Sequence, residues 1–320
     1  MNDRVVFHDF HPAPDDLRAE VLAGLAAPRK YLAPKFFYDE AGSRLFDAIC
    51  ALPEYYPTRT EIGILRQHGA EMAALLGREA LLIELGSGSS LKIRVLLAAL
   101  RPAIYLPIDI SRAHLRHSAD ELAAAFPELE VHAVCADYTR PLRLPIAAGA
   151  RPRAAFFPGS SVGNFDPPAA ERFLRRVGEM LGSGGHLLIG VDLRKDPAVL
   201  HAAYNDTQGV TAAFNLNLLR RINRELGADF DLGAFRHWAF FDDDRSRIEM
   251  HLVSERAQRV RVAEQVFVFE SGETIHTENS YKYDVAGFQT LARAAGFKLL
   301  KVWCDENHWF SVHGLIWDGA

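Results

Sequence analysis

Cysteine is scarce in this chain of 320 residues: Cys50, Cys135 and Cys304 are its three, far apart and odd in number. That argues against a disulfide framework and against a CxxC metal site, and it fits a reducing cytoplasm. Long apolar runs are lacking as well. No stretch approaches the ~20 residues of a membrane span, and the N-terminus, MNDRVVFHDFHPAPDD, has no basic flank leading into an apolar segment. A cytoplasmic protein is expected. Basic residues are in the minority, 36 against 41 acidic, for a formal charge of -5. The chain therefore has no electrostatic footprint for nucleic acid and no cationic membrane face, and small-molecule substrates are favoured. Internal repeats, low-complexity segments and heptads are missing too, so a monomer is expected.

What is present is apolar material for a substantial core, 49% hydrophobic against 24% charged, enough for one large or two modest domains. The stretch 81–100, LLIELGSGSSLKIRVLLAAL, organises the rest. An apolar run enters a glycine turn, and an amphipathic pattern follows with Lys92 and Arg94 on its polar side: strand, tight turn, helix. Such a turn brings backbone close to a ligand and aims helix-start N–H groups at a negative group. A dinucleotide site would read GxGxxG. Here Gly86 and Gly88 are present, Ser90 stands where another glycine is common, and the stretch reads ExGxGxS with Glu84 at the strand end. This resembles motif I of the S-adenosylmethionine-dependent methyltransferases.

Before it lie a short amphipathic helix within 12–30, then an aromatic-rich piece, with Tyr38, Tyr55, Tyr56, Phe36 and Phe37 beside Pro34, Pro53 and Pro57. Rigid aromatics bearing hydroxyls can line a small-molecule pocket, or simply pack as a helical cap. Residues 60–76 read as a helix. From 81 to 192 strand and helix alternate, which predicts a mostly parallel sheet. Asp109 ends the second strand, placed to accept from ribose hydroxyls; Asp137 and Tyr138 end the third, an acid for an adenine amino group and a ring to stack on it. Read singly, each acid could equally cap its own loop. Asn164 lies in the exit of the fourth strand, beside the switch in strand order, and should face the reacting group. A helix starts at Pro167.

The alternation then breaks. Residues 198–283 read as a helical stretch followed by β-like segments, HWAFFDD, RIEMHLVSE, VRVAEQVFVFE and TIHTENSYKYD, with ESGET as a hairpin turn. This is an inserted domain or lid. A helix over 284–295 and a terminal antiparallel pair complete the seven-stranded sheet typical of this methyltransferase class. The fold class expected is thus α/β, a class I methyltransferase Rossmann-like sheet with an inserted α+β substrate-binding domain. Residues 60–196 plus 285–320 would bind the cofactor, and 10–59 plus 197–284 would form the substrate lid.

In-line methyl transfer asks the protein chiefly to hold a neutral nucleophile facing the methyl group. Tyr38, Tyr55, Tyr56, Asn164 and Tyr204 are candidates to orient an amine. Strand periodicity puts Glu278 and Ser280 on one face, a carboxylate and a hydroxyl suited to an imidazole, unless both simply face solvent. His251, His276, His308 and His313 are scattered and read as structural histidines, and no paired catalytic histidine supports a nicotinamide dehydrogenase.

ELGSGSSLK, LPEYYPTRTE, FFPGSSVGNF, YNDTQGVTAAFNLN and TENSYKY together resemble the histidine-specific, S-adenosylmethionine-dependent N-methyltransferase family of ergothioneine biosynthesis, over roughly 31–320. The resemblance implies three successive methylations of the L-histidine α-amine to hercynine, with S-adenosylmethionine consumed to S-adenosylhomocysteine and no metal. It implies that Gly86, Lys92, Asp109, Asp137 and Tyr138, with Glu84 at the motif's head, hold the cofactor. Asn164 and Tyr204 would hold the amino-acid backbone, and Glu278 and Ser280 the imidazole. Tyr55, with Tyr56 beside it, would adjoin the substrate, while Tyr38, Phe214 and Met250 would line its pocket. Asn164 and Tyr38 are the catalytic candidates. Methylation of another amino acid, or cofactor sensing without catalysis, are the competing readings.

Overall fold

The computed structural model describes residues 5–10, 14–77, 79–88, 90–146, 149 and 151–319. Residues 11–13 of the expected lid domain and Ser89 of the glycine turn lie outside the described residues. In chain order the first elements are β1 (Val5–Asp9), α1 (Pro14–Ala26), α2 (Glu40–Ala51) and α3 (Tyr56–Leu76). The alternating region holds β2 (Leu81–Leu85), α4 (Leu91–Leu100), β3 (Ile104–Asp109), α5 (Arg112–Ala125), β4 (Glu130–Cys135), β5 (Arg153–Phe157), α6 (Pro167–Leu181) and β6 (His186–Asp192). Then come α7 (Pro197–Tyr204), α8 (Val210–Leu226), β7 (Phe235–Asp242), β8 (Arg247–Ser254), β9 (Gln258–Val262), β10 (Gln265–Phe269) and β11 (Thr274–Tyr281). The chain ends with α9 (Val285–Ala294), β12 (Phe297–Cys304) and β13 (Phe310–Trp317).

Two compact units result, one of Met1–His11, Pro57–Arg194 and Tyr281–Ala320, the other of Pro12–Tyr56 and Lys195–Ser280. The first is built on one sheet of order β1-β4-β3-β2-β5-β6-β13-β12. β2 is buried at every position because helices cover both faces of a parallel sheet, which is why its sequence is continuously apolar and does not alternate. One apolar layer packs Ile64, Met72, Ile93 and Leu97 against one face, and another packs Phe173, Leu174 and Phe288 against the other. β2 pairs in parallel with both β3 and β5, so the switch in strand order falls at the glycine turn as expected. β13 runs antiparallel between β6 and β12, the expected terminal insertion.

The expected seven strands become eight: VVFHD of β1 adds in parallel beside β4, Val5 opposite Val131 through Asp9 opposite Cys135. Its half-buried pattern gives little period-two signal, since only an edge partner covers it. α3 begins at Tyr56 rather than at residue 60, because Pro57 takes a first-turn position where its missing N–H costs nothing. Within the same unit Lys282 and Asp192 form a buried ion pair at 2.7 Å, and the backbone of Tyr283 donates to the Asp192 carbonyl at 3.1 Å.

The second unit carries a three-stranded sheet, β11-β8-β7, and a separate β9–β10 hairpin. VRVAEQVFVFE is therefore two strands, turning at Ala263, whose φ is +49°. ESGET turns the chain, with Glu273 N donating to the Glu270 carbonyl at 3.2 Å, but it joins no strand pair, since β10 and β11 belong to different sheets. α8 packs on α2 and on the three-stranded sheet. Its start is fixed by Asp206, whose carboxylate accepts from Val210 N at 2.9 Å and Thr211 N at 2.8 Å.

Candidate active site

In the first unit the site grows from the turn after β2. Gly86 has φ +71° and Gly88 φ +41°, values that favour glycine. A Cβ on Gly86 would stand 3.3 Å from the Tyr138 ring, so glycine there also lets Tyr138 close over the turn. The turn is fastened to the tip of β3. The N–H groups of Gly86 and Ser87 both donate to the Ile108 carbonyl, and Gly88 N donates to Asp109 Oδ2 at 3.1 Å. Those three amides are thus committed within the protein, and among the described residues of the turn the N–H groups of the α4 start remain to face an anion. Asp109 also accepts from Ser111 N at 2.8 Å, and burial pushes its carboxyl above the usual range.

The other cofactor candidates are placed more deeply than their sequence positions suggest. Glu84 is 1% exposed and accepts a hydrogen bond from the Tyr105 hydroxyl; burial raises its carboxyl to about 8. Asp137 behaves as a loop cap: its Oδ1 accepts from Thr139 N at 2.9 Å and Thr139 Oγ1 at 2.5 Å, and its Oδ2 lies 3.6 Å from Arg140. Tyr138 meets Phe157 and Phe173 edge-on, with centroids 5.7 and 6.0 Å away. Lys92 is no solvated helix lysine, for its ammonium sits 2.7 Å from Glu61, whose side chain is wholly buried.

Glu61, the last residue of LPEYYPTRTE, escaped the sequence reading. Its Oε2 also accepts from Gly159 N at 2.9 Å, and a Cβ on Gly190 would come 2.2 Å from its Oε1. A glycine in β6 therefore makes room for this carboxylate. Gly159 leads into the loop that carries Asn164. There Ser160 (φ +59°) accepts from Asp192 N at 2.8 Å through its hydroxyl, and Ser161 donates to the Pro158 carbonyl at 3.1 Å. Gly163 lies so close to the Tyr281 backbone that a Cβ would stand 2.8 Å from its carbonyl oxygen. Asn164, half-buried, closes this fixed turn.

The second unit gathers most of the expected substrate residues. Tyr204 donates to Ser280 Oγ at 2.7 Å, and Glu278 is buried. The rings of Tyr55 and Tyr204 meet edge-on at 6.5 Å. Burial, then the company of Tyr204, Cys50, Tyr38 and Glu278, raises the Tyr55 phenol well above its usual value, so Tyr55 is a neutral hydrogen-bonding group. Phe214 stacks on Phe37 at 4.4 Å and meets Tyr38 at 5.8 Å. Phe46, missed in the sequence, stands among Tyr38, Tyr55 and Phe214 at 5.7, 6.2 and 5.9 Å. Its only signal was an aromatic on an otherwise ordinary helix.

Tyr56 is placed differently. It is fully buried, and its hydroxyl accepts from Lys195 at 2.7 Å. Of an adjacent pair at a helix start only one side chain takes a given direction, and Tyr56 takes the core. Met250 is buried in β8, where its carbonyl accepts from Thr277 Oγ1 at 3.0 Å.

How Glu278 and Ser280 come to be buried is a local event in β11. Ile275 and Thr277 are buried, and then so are Glu278 and Ser280, so the alternation slips by one residue between 277 and 278. His276 Nε2 and Asn279 Oδ1 lie 2.9 Å apart, which places residues three apart on the same side. Without the slip, period-two geometry would put Glu278 and Ser280 on the side of half-exposed His276.

The two motif segments LPEYYPTRTE and YNDTQGVTAAFNLN are also joined. Glu54 Oε1 accepts from Thr207 Oγ1 at 2.8 Å and Thr207 N at 3.3 Å. Asn215 donates to the His251 carbonyl at 3.0 Å, and Asn217 donates to Asp39 at 2.8 Å. Much of this sequence signature is therefore scaffolding around Tyr55 and Tyr204.

Comparison with known proteins gives the chain its family. A family model described as histidine-specific methyltransferase, SAM-dependent, matches residues 17–316. The chain is 44% identical over 300 residues to the histidine N-alpha-methyltransferase of Mycolicibacterium smegmatis, covering 92% of each. It is 43% identical over 296 residues to the protein of that name from Mycobacterium tuberculosis, covering 91% of each. It is 31% identical to ergothioneine biosynthesis protein 1 of Neurospora crassa, over 88% of this chain and 32% of that protein. A chain matched from residue 17 to residue 316 by that model, with relatives of this identity and coverage, belongs to the S-adenosylmethionine-dependent, histidine-specific methyltransferase family.

Proposed function

We propose that the chain transfers three methyl groups in succession to the α-amine of L-histidine, giving the trimethyl betaine hercynine for ergothioneine biosynthesis. One observation carries the substrate: a buried carboxylate, Glu278, two residues from a buried hydroxyl, Ser280, which Tyr204 already orients. An imidazole N–H donates to the first, and its other nitrogen accepts from the second. Few other amino-acid side chains satisfy both.

Bound S-adenosylmethionine supplies an electrophilic methyl carbon on a sulfonium. The first unit fits it on two observations: glycine where a side chain would meet Tyr138, and Asp109 held at the tip of β3 by two backbone amides. In this reading Asp109 meets the ribose, Asp137 and Tyr138 the adenine, and Lys92 with the α4 start the methionine carboxylate. Glu84 supports from beneath through Tyr105. The second unit supplies most of the substrate side, with Tyr204 on the amino-acid backbone, a role shared by Asn164 of the first unit, and with Tyr38, Tyr55, Phe46 and Phe214 around the amine. Neutral phenols orient the amine lone pair without binding its proton, and aromatic faces favour the growing trimethylammonium. The reading further takes the enzyme to be a cytoplasmic monomer acting on small molecules; the cysteines are unbridged, and no described helix is long and apolar enough to cross a membrane.

Incubation with labelled S-adenosylmethionine and a panel of amino acids, read by mass spectrometry, tests this. Histidine should gain up to three methyl groups on its α-nitrogen. A product on the ring, on another amino acid, or none at all refutes it.

A further inference from the structure

Three side chains of the second unit that methyl transfer does not use stand together on its three-stranded sheet. Glu249 and His251 are two residues apart on β8, and His276 is on β11, with one ligand atom from each lying within 4.8 Å of the others. A strand turns residues i and i+2 to the same side, and a neighbouring strand lies ~5 Å away, so two ligands from one strand and one from the next converge without help from a loop. We propose that Glu249, His251 and His276 form a binding site for a divalent transition-metal ion, of the two-imidazole, one-carboxylate kind that takes zinc with a fourth position left to water.

Each of the three side chains is held in place by a neighbouring group outside the set. Arg247 Nε donates to Glu249 Oε1 at 2.9 Å, which leaves Oε2 directed at His251 Nε2, 3.0 Å away. The second nitrogen of His251, Nδ1, is buried with no hydrogen-bond partner among the described residues. His276 is held by Asn279 Oδ1, 2.9 Å from its Nε2, the outer contact that sets the direction and tautomer of a ligating imidazole. The two rings meet at 5.1 Å, and Phe240 stacks on His251 at 5.6 Å, which fixes its plane. Arg247 works against a cation, so affinity should be moderate rather than that of a structural zinc finger. Because His276 lies two residues before Glu278, an ion here would brace the strand that bears Glu278 and Ser280.

The test is calorimetric titration of the metal-free full-length protein with zinc chloride, with cobalt(II) chloride followed by its visible absorption as a second readout. One equivalent should bind, and affinity should fall at least about tenfold in His276→Gln and in His251→Gln. His276 is half-exposed, so His276→Gln is expected to fold even if His251→Gln does not. His8, His132 and Glu130 form a second histidine cluster, with contacts of 3.1 and 2.6 Å, and serve as the control. No binding below about 100 µM zinc, equal affinity in His276→Gln, or a loss found only in His132→Gln would each overturn the assignment.

Discussion

Tyr204 and Ser280, 76 positions apart, are joined hydroxyl to hydroxyl at 2.7 Å, and the phenol is the donor. The bond ties the end of α7 to β11 and engages one lone pair of the serine oxygen. Removing the phenol oxygen unties the serine from α7. Tyr204→Phe should therefore raise the KM for histidine about tenfold, the worth of about one hydrogen bond. The Kd for S-adenosylmethionine should stay unchanged. Initial rates at varied histidine, beside cofactor titration, separate the two; equal losses in both would mean a folding defect.

Glu278 makes a stronger demand, because a buried carboxylate facing an imidazole N–H is a charged hydrogen bond. Glu278→Ala should weaken histidine binding by roughly 2 to 4 kcal/mol. Glu278→Gln, which keeps an acceptor but loses the charge, should fall between it and the parent. Calorimetry with histidine measures both, and unchanged affinity in Glu278→Ala removes Glu278 from the substrate site.

Such side chains were legible in the sequence in kind more than in setting. The spacing of Glu278 and Ser280 named the pair, but the slip at residues 277 and 278 that buries them depends on partners across the sheet. Glu84, Asp109 and Asp137 were placed at the strand tips by apolar runs that end there, a local pattern. Whether each carboxylate is bonded to its own loop, as Asp137 is, or to a neighbouring strand, as Glu84 is, is a matter of contacts that periodicity does not encode. Lys92 could be set on the first turn of a helix from the glycine spacing alone. Its partner Glu61 lies on α3, two elements earlier, and no pattern joins them. The His251–His276 meeting is likewise a cross-strand event between residues that look scattered along the chain.

Burial raises the Glu84 carboxyl to about 8, against 4.5 for an ordinary glutamate. Between those values the native chain holds a proton that the unfolded chain has released, so unfolding becomes easier as pH rises. The contribution is complete below the unfolded value and is lost through about pH 8, on the order of 5 kcal/mol in all. Glu84→Gln keeps the neutral shape and should flatten this slope, so that its urea midpoint exceeds the parent's at pH 8.5 but not at pH 5.5. Parallel pH profiles for the two proteins would refute the assignment.

Lys92 and Glu61 set two roles against each other, since one ammonium is asked both to neutralise a buried carboxylate and to meet the carboxylate of the cofactor. Lys92→Met leaves Glu61 buried with the Gly159 N–H as its remaining donor among the contacts described above, and breaking such a pair costs about 3 to 5 kcal/mol of stability. Adding Glu61→Gln removes the stranded charge and should restore most of that loss. If Lys92 also meets the cofactor, the double variant regains its denaturation midpoint but binds S-adenosylmethionine as weakly as Lys92→Met alone. If the lysine only serves Glu61, stability and cofactor affinity recover together. Urea denaturation and cofactor calorimetry on the parent, Lys92→Met and the double variant decide between them, because the first reads the ion pair and the second reads what the ammonium does beyond it.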